Sequence, residues 1–240
     1  CMFAVGTNTR SGHIGLPAPG VQVKLVKDAG TGGKLEIRFK GPNVMPGYWR
    51  APEQSAEAFD DEGFYRTGDA GRLIDPDDIG QGVFFDGRTA EDFKLSSGTF
   101  VSVGPLRAKI IAAGDPLVQD AVITGINRDD VGALLVPRPD ECRKLAGLAE
   151  TVPLPEVLHH PLLRARFQQL ADALWRDATG SASRVARLHV LAEPPSIDKG
   201  EVTDKGSINQ RAVLQHRDAL VQALYEGQAA DPFLILPNKG

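Results

Sequence analysis

A chain of 240 residues that is 42% hydrophobic and 24% charged is long enough for one or two domains with cores of their own. Its formal net charge of -4 and pI near 5.8 give no basic footprint for nucleic acid, and no apolar run approaches the ~20 residues of a membrane-spanning helix. Two cysteines, Cys1 and Cys142, make no disulfide framework, so a reducing cytoplasm is the default compartment.

The opening "CMFAVGTNTR" lacks a basic-then-apolar signal pattern and has its Met second, which reads as the interior of a longer protein. Residues 21–27 and 34–41 alternate apolar and polar around the turn "DAGTGG", a hairpin signal. A Gly/Pro-rich loop, "GPNVMPGYWRAPEQ", leads into a short helix whose first turn tolerates Pro52. Then come "GFYRTGDAGRLID", with Asp69 in a Thr-Gly-Asp turn before a strand at about 70–74, and a strand "VFFDG".

After Gly87 the texture changes. "FKLSSGTFVSV" predicts a hairpin around Ser97-Gly98, and "VGPLRAKIIAAG" a helix ended by Gly114. "LVQDAVITGIN" and "VGALLVPRP" read as strands, Leu154 to Ala178 as one long amphipathic helix and "RLHVLAE" as a strand. A breaker-rich loop, "PPSIDKGEVTDKGSINQ", precedes a final amphipathic helix through "LYEG". The expected architecture is α+β: a β-rich unit over 1–87, then a small α+β unit over 88–240 whose strands and helices alternate too irregularly for a βαβ barrel.

Singly, the polar constellations are weak. A carboxylate at a loop tip, such as Asp69, can accept two hydrogen bonds from a ribose diol, but it also serves as a plain turn former. "GRTAEDFKLSSG" crowds Arg88, Glu91, Asp92 and Lys94 at the unit boundary, where a hinge or a solvated linker would both fit. Gly98 supplies positive φ for its hairpin, and Lys205 sits on a glycine-bearing loop where most lysines are simply solvated. The histidines are scattered apart from His159-His160, with no metal-ligand spacing.

Order and separation add more. "GHIGLPAPGVQVKLV", "GKLEIRFKGPNVMPGYW", "SAEAFDDEGFYRTGDAGRLID", "GRTAEDFKLSSGTFVSV" and "TDKGSINQR" run in sequence along nearly the whole chain. Together they resemble the adenylate-forming superfamily of acyl-CoA synthetases, adenylation domains and luciferases, and within it feruloyl-CoA synthetase and its aromatic-acid relatives. The resemblance implies the β-rich end of a large adenylation domain followed by a small mobile C-terminal domain. It implies an AMP-forming acid–CoA ligase using ATP, coenzyme A and magnesium, with a hydroxycinnamate-like carboxylic acid as substrate and a homodimer left open. Asp69 would hold the ribose hydroxyls and Arg88 the nucleotide. Lys205 would neutralise charge developing at phosphorus during adenylation, and Gly98 would let the backbone approach the pantetheine arm.

The sequence departs from that pattern in places. The usual hinge Asp or Lys, two residues after the arginine, is replaced by Ala90, with Glu91 and Asp92 following; the junction is one residue longer than usual. The common Gly-Lys-Ile/Leu reads "DKGSI" here, which leaves Lys199 a competitor to Lys205 and puts Ser207 at the strictly aligned place. Arg107 stands where a glutamate is frequent. The phosphate loop and Thr-Glu magnesium motif are expected upstream of "GHIGLP", so the 240 residues alone are expected to be inactive. Two other readings stay open: an adenylation domain that loads a carrier or belongs to a carboxylic acid reductase, and a non-catalytic nucleotide-binding module.

Overall fold

The computed structural model describes residues 1–3, 12–27, 33–226 and 231–239, which form two compact units, Cys1–Asp92 and Phe93–Gly240. The first is an antiparallel sheet built from β1 (Met2–Phe3), β2 (His13–Pro17), β3 (Gln22–Lys27), β4 (Leu35–Lys40), β5 (Tyr65–Leu73) and β6 (Val83–Arg88). Its strand order is β1-β2-β6-β5-β4-β3. β3 and β4 pair from Gln22↔Lys40 to Lys27↔Leu35, as their alternation requires; most of the expected turn between them, 28–32, lies outside the described residues. The one α-helix among the described residues of this unit, α1 (Pro52–Ala58), starts on proline, whose missing N–H is spare in a first turn.

Ile37, Ala70 and Val83 are buried in this sheet, and Gly71 is required between them: a Cβ there would lie 2.6 Å from Ile37 Cδ1. Charge is buried beside them. Arg38 donates to Glu36 at 2.7 Å and to Asp60 at 3.0 Å, while Lys24 pairs with Asp60 at 2.8 Å. Such a cluster is tolerable only because each charge faces an opposite one.

The second unit opens with a hairpin, β7 (Phe93–Lys94) and β8 (Phe100–Val101), and continues through α2 (Val103–Gly114), β9 (Val118–Thr124) and β10 (Val131–Pro137). Then follow α3 (Pro139–Ala146), α4 (Leu154–Leu158), α5 (Pro161–Arg176), β11 (Val185–Val190), α6 (Gln210–His216), α7 (Asp218–Glu226) and β12 (Leu234–Ile235). The sheet order is β12-β11-β10-β9, with only β10 and β11 parallel. Both faces are covered. Ala133, Leu135 and Leu188 face Ile110, Phe167 and Leu170 of α2 and α5, whereas Leu134, Val136 and Val122 face Val213 and Leu224 of α6 and α7. A strand covered on both faces reads as a continuous apolar run, which is what "VGALLVP" is.

Three expectations are corrected. The single helix over 154–178 is two, α4 and α5, because Pro161 cannot continue the first and starts the second. The final helix breaks at Arg217, whose side chain is drawn into a buried ion pair described below. α2 ends at Gly114, as expected. The chain leaves the helix at Asp115, held extended (φ −61°, ψ 139°) by the proline that follows. The units part after Asp92, not at 87/88, because Arg88 still pairs with Asp69 in the first sheet.

Candidate functional site

Asp69 does not sit in a turn; it lies inside β5, on a bulge. Glu36 faces Ala70 and Arg38 faces Arg66, so two steps along β4 match four along β5 and Thr67-Gly68-Asp69 bow outward. Gly68 makes this conformation available with φ +69°, a region costly for a residue bearing a Cβ. The bow is held on all sides. Thr67 Oγ1 donates to Ile37 O at 2.6 Å and accepts from Asp69 N–H at 3.0 Å; Gly68 N–H donates to Glu36 at 3.1 Å. Gly68 O accepts from both the backbone N–H and the hydroxyl of Thr89.

The Asp69 side chain is 40% exposed, with Arg88 Nε 3.8 Å from its Oδ1 across the β5–β6 pair. Burial pushes its carboxyl above the ordinary range; Arg88 pulls it back in part, and the Glu36 charge adds to the rise. A half-buried carboxylate of fixed position, with free acceptor capacity and a guanidinium beside it, suits a pair of neighbouring hydroxyls on an anionic ligand.

Arg88 ends β6 and begins the junction. Glu91 N–H donates to Arg88 O at 3.2 Å, and the Arg88 guanidinium lies 3.9 Å from Glu91. Asp92 has a fully buried side chain paired with Lys34 at 2.7 Å, and Lys34 also donates to Asp86 O at 2.7 Å. The residues after the arginine are thus fastened to the first unit as far as Asp92.

In the second unit, Gly98 turns the β7–β8 hairpin at φ +81°, its N–H donating to Leu95 O at 2.9 Å. Nothing lies within 4 Å of where its Cβ would be, so the positive φ, not crowding within the unit, calls for glycine. Lys205 is exposed at the tip of a tight turn, Thr203–Gly206, closed by Gly206 N–H to Thr203 O at 2.8 Å. Lys199 occupies the corresponding place in the turn Ile197–Gly200, closed at 2.8 Å. Arg107, left without a reading by the sequence, forms a two-pronged pair with Asp120 at 2.6 Å and 2.6 Å.

Several contributors escaped sequence reasoning: Glu36 and Thr89 around the bulge, Lys34 at the junction, and Glu201 with Arg217 beneath the lysine turn. The only available signal was charge at inward positions of apolar segments, such as Glu36 and Arg38 in "LEIRFK". Among the described residues no group of three or more His, Cys, Asp or Glu could hold a metal ion. No helix of the described residues is long and apolar enough to cross a membrane.

Residues 93–229 match the AMP-binding enzyme C-terminal domain, and the chain belongs to that family. Its mixed α+β fold is that of the C-terminal part of adenylation domains: it aligns with the adenylation domain of a carboxylate reductase from Mycobacterium chelonae. That alignment has a TM-score of 0.66 and 26% identity, over 93% of this chain and 34% of that one. Among curated relatives, it is 34% identical to probable 4-coumarate–CoA ligase 2 of Dictyostelium discoideum over 54% of this chain and 23% of that protein. It is 30% identical to a carboxylic acid reductase of Segniliparus rugosus over 79% of this chain and 15% of that protein. The chain spans less than a third of the length of these curated relatives, reaching 31%, 23% and 29% of three others.

Proposed function

We propose that this chain is the C-terminal portion of an AMP-forming acid–CoA ligase acting on a hydroxycinnamate-like aromatic acid such as ferulate. The acid's carboxylate attacks the α-phosphorus of ATP, releasing pyrophosphate and leaving an acyl-adenylate. The coenzyme A thiolate then attacks the acyl carbon and AMP leaves. The observation that carries the reading is the bowed Asp69 beside Arg88, one unit before a recognised AMP-binding C-terminal domain. Asp69 grips the ribose diol through both half-reactions. Arg88 supports the nucleotide from the same sheet. Lys205, on its exposed turn, meets the negative charge that grows at phosphorus in the adenylation transition state. Gly98 turns the hairpin that lies along the pantetheine arm in the thioester step. The resemblance to aromatic-acid synthetases in "TAEDFKLSSGTFVSV" and "EVTDKGSINQRAVL", and the coumarate ligase relative, support the substrate class.

A second reading has its own support, since similarity to carboxylic acid reductases extends over more of the chain than similarity to the coumarate ligase. The acyl group would then pass to a carrier-bound thiol. Product analysis of the protein that carries this chain separates the two. A ligase consumes free coenzyme A together with ferulate and ATP, and makes a thioester absorbing in the near ultraviolet; acylation of a carrier segment with free coenzyme A untouched would contradict it.

A further inference from the structure

The loop before α6 uses the tripeptide Asp-Lys-Gly twice, at 198–200 and 204–206, and both copies fold as the same tight turn with a positive-φ glycine at the end (φ +67° and +77°). Between the two turns lies Glu201, 1% exposed in an otherwise polar, solvated segment. Its backbone ties the loop at both ends: its N–H donates to Ser196 O at 3.0 Å and its carbonyl accepts from Asn209 N–H at 2.9 Å. Its carboxylate accepts from Ser196 N–H at 2.7 Å and from Arg217 at 3.0 Å through Nε and 2.8 Å through Nη2. Arg217 interrupts the last helical pair and gives two further donors to the carbonyls of Glu193 and Pro194, at 2.9 Å and 3.0 Å. The Glu201 carboxylate therefore joins the Ser196 end of the first lysine turn to Arg217 at the α6–α7 break, and its backbone carbonyl holds Asn209 just beyond the second turn.

A buried ion pair is a poor way to gain stability, since apolar residues of similar volume usually do as well or better. A two-pronged guanidinium–carboxylate contact instead fixes direction as well as distance. Each turn also has local hydrogen bonds, Lys199 N–H to Ser196 Oγ at 3.3 Å in the first and Thr203 N–H to Ser207 O at 2.8 Å in the second, but these are internal to the loop. Glu201 is the buried side chain between them, and Val202 bridges to Ile208 beyond the second turn. We propose that Glu201, clamped by Arg217, is the positioning residue that fixes the Lys205 turn for adenylation, a role that rests on the function proposed above.

The test measures the half-reactions separately in the protein that carries this chain: acid-dependent exchange of pyrophosphate into ATP, and thioester formation from supplied acyl-adenylate. Glu201→Gln and Arg217→Lys are compared with Lys205→Ala, with thermal unfolding followed in parallel. A misplaced catalytic group costs about 10²-fold, so both clamp variants should lose that much adenylation while keeping thioester formation. A merely structural role would lower both half-reactions together with the folded fraction. If Lys205→Ala separates the half-reactions and the clamp variants do not, the clamp is overturned while the lysine's role stands. If Lys205→Ala shows no separation, the lysine assignment fails and the clamp's role falls with it. Should Glu201→Gln unfold at the assay temperature, Arg217→Lys, which keeps the positive charge, decides by the same criterion.

Discussion

At Asp69 solvation is exchanged for position. The bulge holds the carboxylate half-buried, which raises its pKa, and the neighbouring arginine offsets only part of the rise. Two consequences of opposite sign follow. The folded chain holds the Asp69 proton more tightly than the unfolded chain, so this group costs stability as pH rises through its raised value, and Asp69→Asn should raise the melting temperature slightly at neutral pH. Nucleotide binding runs the other way, because only the ionised carboxylate accepts from both ribose hydroxyls. AMP affinity of the protein that carries this chain should fall on acidification from above the ordinary aspartate range, and Asp69→Asn should abolish that step in a binding titration. Asp69→Ala should weaken AMP and ATP by roughly 10- to 100-fold, the worth of hydrogen bonds to a charged group; unchanged affinity would remove Asp69 from the site. The candidate itself was legible, since Thr-Gly-Asp is a local motif. Its setting was not, because Glu36, which accepts from Gly68, is 32 residues away in sequence.

At the scale of elements, the bulge and the lysine loop are each built around one demanding residue. Gly68→Ala forces a Cβ into φ +69° and should cost about 1–3 kcal/mol in denaturant unfolding, whereas Gly68→Asn should cost less, asparagine tolerating that region better. Glu201→Ala leaves Arg217 without its carboxylate and should destabilise the second unit by about 3–5 kcal/mol. Arg217 holds the Glu201 carboxyl below its usual range, against the effect of burial and with help from the Ser196 N–H. That stabilisation is present above the ordinary glutamate pKa and is lost as pH falls through the lowered one. Strands announced themselves by alternation, or in β10 by an unbroken apolar run, because sheet burial has a period of two or none. Helix limits were harder. Pro161 was a visible stop that amphipathic periodicity on both sides concealed, and Arg217, at the other break, pairs with a glutamate 16 residues earlier that no local pattern reveals.

For the whole molecule, the division into a β-rich unit and an α+β unit was readable from the change of texture after Gly87. Its position was not, because Lys34 draws Asp92 back to the first unit over a long separation that no local pattern reveals. The proposed chemistry asks different things of the two units. The first keeps the ribose through both half-reactions, and the second brings Lys205 to the nucleotide for one of them only. Replacing Lys205 with alanine, in the protein that carries this chain, and timing each half-reaction tests this most directly. Adenylation should fall by ~10²–10³, the usual cost of a lost transition-state contact, with thioester formation from supplied acyl-adenylate unchanged. Equal loss in both halves, or the same selective defect from Lys199→Ala and not from Lys205→Ala, would contradict the account.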